Sequence, residues 1–340
     1  MFGTFVIAEI GVNHNGSVEV ARKLIDAALQ AGADTVKFQS FFAEELVTPS
    51  ATKAEYQIET TKDDGTQFDM LKALEFAEVQ MRELADYCAK VGIRFMSTPF
   101  SERAADMLER IGVDAYKISS GDITYFPLLA HIAKKGKPII LSTGMATLAD
   151  IEAALATIVA AGNPPVSLLH CVSNYPAAVA DANLAVMDTM SHAFGCPVGW
   201  SDHTQGCVVS WAAVARGATI IEKHITLSKD MPGPDHRASM EPDEFCAFVA
   251  GIRAIETAIG NGIKKPTASE LKVAEVARRS LVATKELPAG HVLTAEDIRI
   301  MRPGCGLHPD MHDFVVGLRL SRGVGAFQPL VADDFHGRIA

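Results

Sequence analysis

Two lysines of this chain lie within short apolar runs and have hydroxyl side chains close by in the sequence. Lys37 is flanked by Val36 and Phe38, and Lys117 is flanked by apolar residues in the same way. Because the formal net charge is −10, an anionic substrate has to be held by a local group of cations. Lysine acts there as a point charge, while hydroxyls and backbone N–H groups supply directed hydrogen bonds. The lysines therefore predict a pocket for a phosphate or a carboxylate.

Two histidines, His203 and His224, are 21 residues apart, the length of one strand–helix–strand unit. This spacing predicts two imidazoles on one rim, from adjacent strands. Together with the carboxylates of Glu9, Glu222 and Asp235 they suit a borderline divalent ion such as Mn²⁺ or Fe²⁺, with room for water and substrate. Zn²⁺ usually takes three or more protein ligands. Two hydrogen-bonded histidines in a polar cavity, without a metal, are the alternative.

Short β-branched runs alternate with amphipathic stretches over the first 260 residues. The predicted strands are 5–10, 35–39, 93–97, 115–118, 139–142, 166–170, 198–201 and 219–222. The helices that follow them are 18–30, 79–91, 102–110, 127–134, 148–161, 183–193, 207–216 and 242–259. Eight such units predict an α/β fold of the TIM (β/α)8 barrel type. A doubly wound sheet is the alternative, but it usually has a glycine-rich phosphate turn after an early strand. The segment 41–74 is predicted to be a lid over the site.

Polar side chains stand at or near the end of almost every predicted strand. In a barrel, the carboxyl ends of the strands face the active site. A single Ser or Thr there is often a helix N-cap, but polar residues at all eight ends together predict a site. They are Glu9, Lys37, Gln39, Ser97, Thr98, Lys117, Ser119, Ser120, Ser142, Thr143, His170, Tyr175, Asp202, His203, Glu222 and His224. Of these, His170 is expected to pack or donate a hydrogen bond.

After residue 260 the sequence changes character. Residues 261–279 are predicted to be a linker that begins with Gly, Lys and Pro and continues as a charged, helix-like stretch. Residues 280–340 contain short strands and turns and form a predicted second, small β-rich domain. So short a domain has a marginal core, so we expect it to lean on a barrel, its own or a partner's.

Composition excludes several classes of protein. The hydrophobic share of 48% and charged share of 21% are those of a globular protein, and no apolar run approaches the ~20 residues of a membrane span. The negative charge argues against nucleic acid and anionic membrane surfaces as partners. The first ten residues predict a strand and not a signal peptide. Six cysteines without a CxxC pair predict buried, reduced thiols and a cytoplasmic location.

Nine motifs, in order along the chain, resemble those of the sialic acid synthases. They are IAEIGVNHNG (7–16), VKFQ (36–39), STPF (97–100), YKISSG (116–121), LSTGM (141–145), HC and YP within 170–176, GWSDHT (199–204), IEKH (221–224) and PGPD (232–235). The stretch from 279 to 304 is similar to the antifreeze-like (SAF) domain of the same enzymes. The resemblance therefore covers the whole chain and predicts a barrel followed by a SAF domain.

The resemblance implies an enzyme that condenses phosphoenolpyruvate with an N-acetylated amino sugar in a homodimer. Phosphoenolpyruvate would be held by Lys37, Thr98, Lys117, Ser120, Ser142 and Ser201. His203 and His224 would bind a divalent metal, usually Mn²⁺, with Mg²⁺ or Co²⁺ as alternatives, and Glu9 would act near it and the attacking water. The sugar would be received by Gln39, Ser173, Tyr175, Glu222 and Asp235, and by Arg302 of the other subunit in a domain-swapped dimer.

Two segments depart from the best-known pattern of the family. Ser173 stands where some members have Asn. The sequence CGLHP at 305–309 is closer to the pseudaminate branch, whereas MPGPDH at 231–236 is closer to the neuraminate and legionaminate branches. The sequence therefore leaves two candidate sugar substrates: N-acetylmannosamine, which is the first choice, and a 2,4-diacetamido-trideoxyhexose.

Two other functions remain as alternatives. A Schiff-base aldolase would use Lys37 or Lys117 as a nucleophile and would need no metal. A carbohydrate-binding or ice-binding structural protein would explain the SAF-like tail. The polar strand ends argue against the second, because a structural barrel does not need them.

Overall fold

The computed structural model describes residues 3–53, 58 and 65–336. Within them, eight parallel strands form one sheet: β1 (Phe5–Gly11), β2 (Thr35–Ser40), β3 (Arg94–Pro99), β4 (Tyr116–Ile118), β5 (Ile139–Ser142), β6 (Val166–Cys171), β7 (Val198–Asp202) and β8 (Ile220–His224). They are hydrogen-bonded in the order β3-β2-β1-β8-β7-β6-β5-β4, and β3 and β4 at the two ends also lie side by side. The predicted (β/α)8 barrel is confirmed.

Helices follow the strands. Those that cover the outside of the barrel are α1 (Val18–Ala31), α4 (Glu78–Val91), α5 (Glu102–Ile111), α6 (Phe126–Ala133), α7 (Leu148–Ala161), α8 (Ala185–Phe194), α9 (Val208–Ala215) and α10 (Pro242–Ile259), whereas α2 (Ala43–Leu46) and α3 (Gln67–Leu74) belong to the long segment between β2 and α4. Helix α1 begins where the Ser17 side chain accepts a hydrogen bond from the N–H of Val20. It ends at Gly32, whose φ of 82° is readily adopted only by glycine.

The strands are apolar on both faces over most of their length, as expected of a parallel sheet covered by helices. In β1, Val6 and Ala8 pack outward in the large core between strands and helices. Ile7 faces the barrel interior, where it packs with Leu169 and Ile220. This inner layer fills the barrel, so the polar side chains beyond it stand on an apolar floor at the carboxyl ends of the strands.

The segment between β2 and α4 contains the predicted lid, of which residues 54–57 and 59–64 lie outside the described part. Its described remainder packs on the loop after β1. The ring of Phe76 stacks on His14 with centroids 4.0 Å apart. A Cβ on Gly16 would lie 2.8 Å from the carbonyl oxygen of Ala73, so only glycine permits this approach. The segment is thus attached at the end of the barrel that carries the polar residues.

A second compact unit comprises Asn261–Ala340. It contains α11 (Ala268–Ala277), the antiparallel strands β9 (Ser280–Ala283) and β10 (Ile298–Met301), and α12 (His312–Val315). Its core is built from aliphatic side chains such as Leu281, Leu287 and Leu320, together with Phe335. Helix α11 lies within the predicted linker, at its helix-like stretch.

All six cysteines are free, as predicted, but the expectation that they are buried is wrong for four of them. Only Cys88 and Cys171 are buried, and Cys305 is exposed. The spacing of cysteines in a sequence says nothing about which face of an element they occupy, and that face decides burial. Within the described residues, no helix has the length and apolar character needed to cross a membrane.

Candidate active site

A cavity of about 320 Å³ opens at the carboxyl ends of the strands. Every strand contributes to its lining through a residue of the strand or of the loop that follows it. The predicted residues found there are Glu9, Lys37, Gln39, Thr98, Lys117, Ser120, Ser142, Ser173, Tyr175, Ser201, His203, Glu222 and His224. Asp235 is buried beside this cavity, and Arg302 is exposed on the second unit. The barrel thus brings together residues that are more than 200 positions apart in sequence, such as Glu9 and His224.

Lys37 lies between two carboxylates at the bottom of the cavity. Its Nζ is 2.8 Å from Oε2 of Glu9 and 3.5 Å from Oε2 of Glu222, and it donates a hydrogen bond of 3.1 Å to Oγ1 of Thr98. The pairing follows from the barrel, because β1 lies between β2 and β8. Gln39, two residues further along β2, donates through Nε2 to Oε1 of Glu9 at 3.3 Å.

Lys117 forms a second, linked group. Its Nζ donates to Oγ of Ser142 at 2.6 Å and to the carbonyl of Ile118 at 3.1 Å. It lies 3.8 Å from Oε1 of Glu222, which also accepts a hydrogen bond of 2.8 Å from Oγ of Ser201. Glu222 is therefore shared by both lysines. The two cations are fully buried and have hydroxyls as neighbours, as an anion site requires.

The two carboxylates differ in acidity because of their surroundings. Burial raises the pKa of Glu9, and the attraction of Lys37 offsets this only in part. Burial acts in the same direction on Glu222, but Lys117 and Lys37 together outweigh it and lower its pKa. Glu222 is thus the permanent counter-charge of the lysines. Glu9 is the carboxyl group that can exchange a proton near neutral pH.

The pKa values of the two lysines are also shifted in opposite directions. Burial would lower the pKa of Lys37, but the attraction of Glu222 and Glu9 raises it. For Lys117, burial dominates and the pKa is lowered, although Glu222 opposes the change. The two lysines therefore differ in basicity: carboxylates on both sides favour the charged form of Lys37, whereas Lys117 has the weaker compensation for its burial.

The imidazoles of His203 and His224 stand on the same rim with ring centroids 5.6 Å apart, and Tyr175 packs on His203 at 4.0 Å. The hydrogen bond of 2.7 Å between Nδ1 of His203 and the carbonyl of Val172 places a proton on Nδ1, because a carbonyl only accepts, so Nε2 is the ring nitrogen that could bind a metal. Nδ1 of His224 is buried and has no hydrogen-bond partner in the described part of the chain. It lies 4.0 Å from Oδ2 of Asp235.

The donor set around these imidazoles fits a metal that takes few protein ligands. Burial, with the nearby charges of His203 and Lys37, lowers the pKa of His224 well below its usual value and keeps its ring neutral, as a ligand must be. Within residues 3–53, 58 and 65–336, no group of three or more His, Cys, Asp and Glu side chains is arranged to hold an ion. The two histidines therefore provide an incomplete coordination sphere.

Ser120 and Ser173 approach each other across the loop that follows β5. Oγ of Ser120 accepts a hydrogen bond of 2.9 Å from the N–H of Gly144. A Cβ on Gly144 would lie 2.2 Å from Oγ of Ser173 and 2.9 Å from Oγ of Ser120. Glycine at this position lets both hydroxyls reach the cavity.

Ser119, predicted as a strand-end residue, also lines the cavity, and so do four residues that the sequence analysis did not assign to the site. They are Phe100, Gly121, Met145 and Cys171. Each lies inside one of the nine motifs, so the motifs identified the correct loops but not every side chain. The expectation for His170 is confirmed: its Nε2 lies 2.9 Å from the carbonyl of Ala182, away from the cavity lining.

Comparison with known proteins identifies the family of this chain. Residues 24–264 match the model of the NeuB family, and residues 278–336 match the SAF domain. The N,N'-diacetyllegionaminic acid synthase of Legionella pneumophila is 45% identical, over 95% of this chain and 92% of that protein. The N-acetylneuraminate-9-phosphate synthase of Mus musculus is 38% identical, over 87% of this chain and 82% of that protein.

A solved structure is similar as well. The N-acetylneuraminic acid synthetase of Leptospira borgpetersenii, in complex with citrate, is 35% identical and superposes with a TM-score of 0.71, covering 81% of this chain and 91% of that one. Family models match both parts of the chain in the predicted order, barrel first and small domain second. The chain belongs to the NeuB family and carries a C-terminal SAF domain.

Proposed function

We propose that this protein condenses phosphoenolpyruvate with an N-acetylated amino sugar, releasing phosphate and a nine-carbon nonulosonic acid. The observation that carries the proposal is the pair Lys37 and Lys117, two cations buried together in the cavity of an acidic protein. A substrate with both a phosphate and a carboxylate needs such a pair. The hydroxyls of Thr98, Ser120 and Ser142 stand where they can complete its hydrogen bonds.

His203 and His224 would hold a divalent cation, with Mn²⁺ as first choice and Mg²⁺ or Co²⁺ as alternatives. Two observations support this assignment: Val172 engages Nδ1 of His203 and not its Nε2, and Nδ1 of His224 has no hydrogen-bond partner among the described residues. When bound, the cation supplies Lewis-acid polarisation of the aldehyde oxygen of the open-chain sugar. Substrate and water would fill the positions that the protein leaves vacant.

The reaction joins C3 of phosphoenolpyruvate to the aldehyde carbon of the sugar. Water then adds at C2, and the C2–O bond to phosphate breaks, so that a 2-keto acid and inorganic phosphate result. Of the water's two protons, one ends on the former aldehyde oxygen and the other leaves with phosphate. Glu9, the carboxyl group whose pKa burial raises, is the group that accepts a proton from this water. Lys37 and Lys117 stay paired with the phosphate and the carboxylate throughout.

For the sugar we propose a 2,4-diacetamido-2,4,6-trideoxyhexose in preference to N-acetylmannosamine, which the sequence motifs placed first. The higher identity to a legionaminic acid synthase, 45% against 38% for the N-acetylneuraminate-9-phosphate synthase, supports this choice. The apolar residues Phe100 and Met145 in the lining also suit a deoxy sugar with a methyl group at C6. Gln39, Ser173, Tyr175, Glu222 and Asp235 would receive its polar groups.

We further propose a domain-swapped homodimer in the cytoplasm, in which Arg302 closes over the N-acyl group in the neighbouring barrel. Its planar guanidinium presents several fixed donors to an amide carbonyl. Co-expressed Arg302→Ala and Glu9→Gln chains would then form mixed dimers with one complete site and recover activity. If each variant folds and dimerises but the mixed dimers stay inactive, Arg302 does not act in trans.

The direct test is incubation of metal-free protein with phosphoenolpyruvate, Mn²⁺ and a panel of 2-acetamido and 2,4-diacetamido sugars, with phosphate release as the readout. We expect release only with sugar and metal both present, and fastest with the diacetamido sugar. Omission of metal, or addition of EDTA, should stop it. Release at full rate in EDTA would contradict the metal assignment, and no release with any sugar would contradict the reaction.

One observation favours a second function, a Schiff-base aldolase. Burial lowers the pKa of Lys117, which is what an amine nucleophile needs. Such an enzyme would be trapped irreversibly by borohydride in the presence of pyruvate, with Lys117 carrying the added mass. We expect no trapping, because Nζ of Lys117 already donates to Ser142 and Ile118 and lies near Glu222.

A further inference from the structure

Asp202 on β7 and Lys223 on β8 form a buried ion pair. Each lies between two candidate active-site residues of its strand end. Successive side chains of a strand point to opposite faces. Ser201 and Glu222 face the cavity, so Asp202 and Lys223 point away from it, toward the covering helices. The two are neighbours in the register of β7 on β8, and Nζ of Lys223 lies 2.9 Å from Oδ2 of Asp202. Their side chains are 1% exposed or less.

Every oxygen of this carboxylate is used. Oδ2 of Asp202 also accepts a hydrogen bond of 2.6 Å from Oγ of Ser210 on α9. Oδ1 accepts from the N–H of Thr204 at 2.8 Å and from its Oγ1 at 2.7 Å. Nζ of Lys223 donates in addition to the carbonyl of Thr204. The ion pair therefore binds Thr204, the residue after His203, to the end of β7, which precedes His203.

These bonds enclose His203. Asp202 and Thr204 are its two chain neighbours, and their mutual hydrogen bonds close a turn with His203 at its centre. Lys223, the residue before His224, connects that turn to β8. The backbone of His203 is thereby held at a fixed place relative to the backbone of His224, although the two rings do not bond to each other.

The alternation of apolar and polar residues does not by itself fix the register of β7 against β8. At the carboxyl ends of β7 and β8 both faces carry polar side chains, so a slip of one residue would not be opposed there by exposure of a hydrophobic face. A buried ion pair is weak evidence for stability, because apolar residues of similar volume often pack as well. A polar pair that only one alignment satisfies can instead specify the alignment.

We propose that the Asp202–Lys223 ion pair positions the imidazoles of His203 and His224 at the separation that the divalent cation requires. The inference rests on the metal site proposed above. Lys223 and Asp202 are positioning residues, since neither lines the cavity or contacts the reacting atoms. Removal of the pair changes the distance and orientation of the two ligands while leaving both histidines in the sequence.

The test compares Mn²⁺ binding and folding in full-length, metal-free protein without substrate. The variants are Lys223→Met, Asp202→Asn and the apolar double variant Asp202→Leu/Lys223→Met. Asp34→Asn is the matched control, because it removes an ion pair of 2.8 Å with Arg253 at the other end of the barrel. Calorimetry gives the Kd for Mn²⁺, pulsed electron paramagnetic resonance gives the nitrogen couplings of the bound ion, and circular dichroism gives Tm.

We expect both single variants to weaken Mn²⁺ binding about 10- to 100-fold, the range seen when groups that orient metal ligands are removed. The nitrogen couplings should change as well. The double variant should regain Tm but not Mn²⁺ affinity, and Asp34→Asn should lower Tm with the Kd unchanged. If Lys223→Met does not fold, Asp202→Asn and the double variant carry the test.

Wild-type Kd and couplings in the folded variants, or recovery of both Tm and Kd by the double variant, would overturn the inference and leave the metal site standing. Failure of the wild-type protein to bind Mn²⁺ would overturn the metal site and this inference together. The two failures are therefore distinguishable.

Discussion

Both compact units of the chain bury charged side chains, but the units differ in how fully the buried polar atoms are hydrogen-bonded. In the small C-terminal unit the carboxylate of Asp297 accepts hydrogen bonds from Nε2 of His291 at 2.7 Å and from the N–H and Oγ1 of Thr294 at 2.9 Å. Nζ of Lys285 lies 2.8 Å away. All the hydrogen-bonding capacity of this buried group is met within the unit.

The cavity of the barrel is different. There Nδ1 of His224 is buried without a hydrogen-bond partner among the described residues, and Nζ of Lys37 lies 3.5 Å from the buried Oε2 of Glu222, too far for a strong hydrogen bond. A buried polar atom without a partner costs about 1–3 kcal/mol relative to a satisfied one. In the small unit a buried charge stabilises the fold, whereas in the barrel a polar atom is left unpaired at the place where a ligand can pair with it.

The largest effect should come from removing an unpaired atom. We expect His224→Leu to abolish Mn²⁺-dependent phosphate release without lowering Tm, because the substitution removes an unsatisfied nitrogen from a buried position. His291→Leu, its counterpart in the small unit, should lower the stability of that unit and leave Mn²⁺ binding unchanged. Calorimetric titration and thermal unfolding measure both. A clear fall in Tm for His224→Leu would remove the distinction between the two regions.

The next largest effect concerns the lysines. Lys117→Met should raise KM for phosphoenolpyruvate about 10- to 100-fold, since a charge-assisted hydrogen bond contributes about 1.5–3 kcal/mol. KM for the sugar should change much less. Lys285→Met, which removes an exposed lysine of the small unit, is the control and should leave KM for phosphoenolpyruvate as it is. An unchanged value in Lys117→Met would place this lysine outside the binding site.

A pH-dependent effect on stability is expected in the small unit. Hydrogen bonds from His291 and Lys285 hold the pKa of Asp297 well below its usual range. A carboxyl group with a lowered folded-state pKa stabilises the fold above its unfolded pKa, and this contribution is lost as the pH falls through the folded value. Asp297→Asn should therefore cost about 1–3 kcal/mol at pH 7. In urea unfolding, the difference from wild type should shrink below about pH 4, and a constant difference would speak against the ion pair.

The smallest effect is steric. Gly144→Ala should raise KM for phosphoenolpyruvate by a few-fold, because the added Cβ displaces the hydroxyls of Ser173 and Ser120. Those hydroxyls can rotate, so Tm should change little. Gly323→Ala in the small unit, where the nearest atom is 3.6 Å from the added Cβ, is the matched control. Equal kinetics for the two variants would mean that the hydroxyls of the β5 loop do not touch the substrate.

Much of the barrel and the content of its site followed from local patterns. Apolar runs of strand length alternating with amphipathic stretches predict β/α units, and the ends of parallel strands share one edge, so the residues Lys37, Lys117, His203 and His224 could be assigned to one site. The sequence pattern also changes after residue 260, which is where the second compact unit begins.

Local sequence patterns could not predict which side-chain atoms form hydrogen bonds or ion pairs with each other. Glu9 and Glu222 share Lys37 only because closure of the barrel sets β1 beside β8, more than 200 residues later in the chain. The role of Lys223 was missed for the same reason: its partner Asp202 is set by the register of two strands, which the alternation of apolar and polar residues does not specify at polar strand ends. Sequence by itself determined most of the residues that meet in the cavity, because the carboxyl ends of parallel strands lie at one end of a barrel. Tertiary structure decided their partners and acidities, because hydrogen bonds and burial depend on distances of a few ångströms between segments remote in sequence.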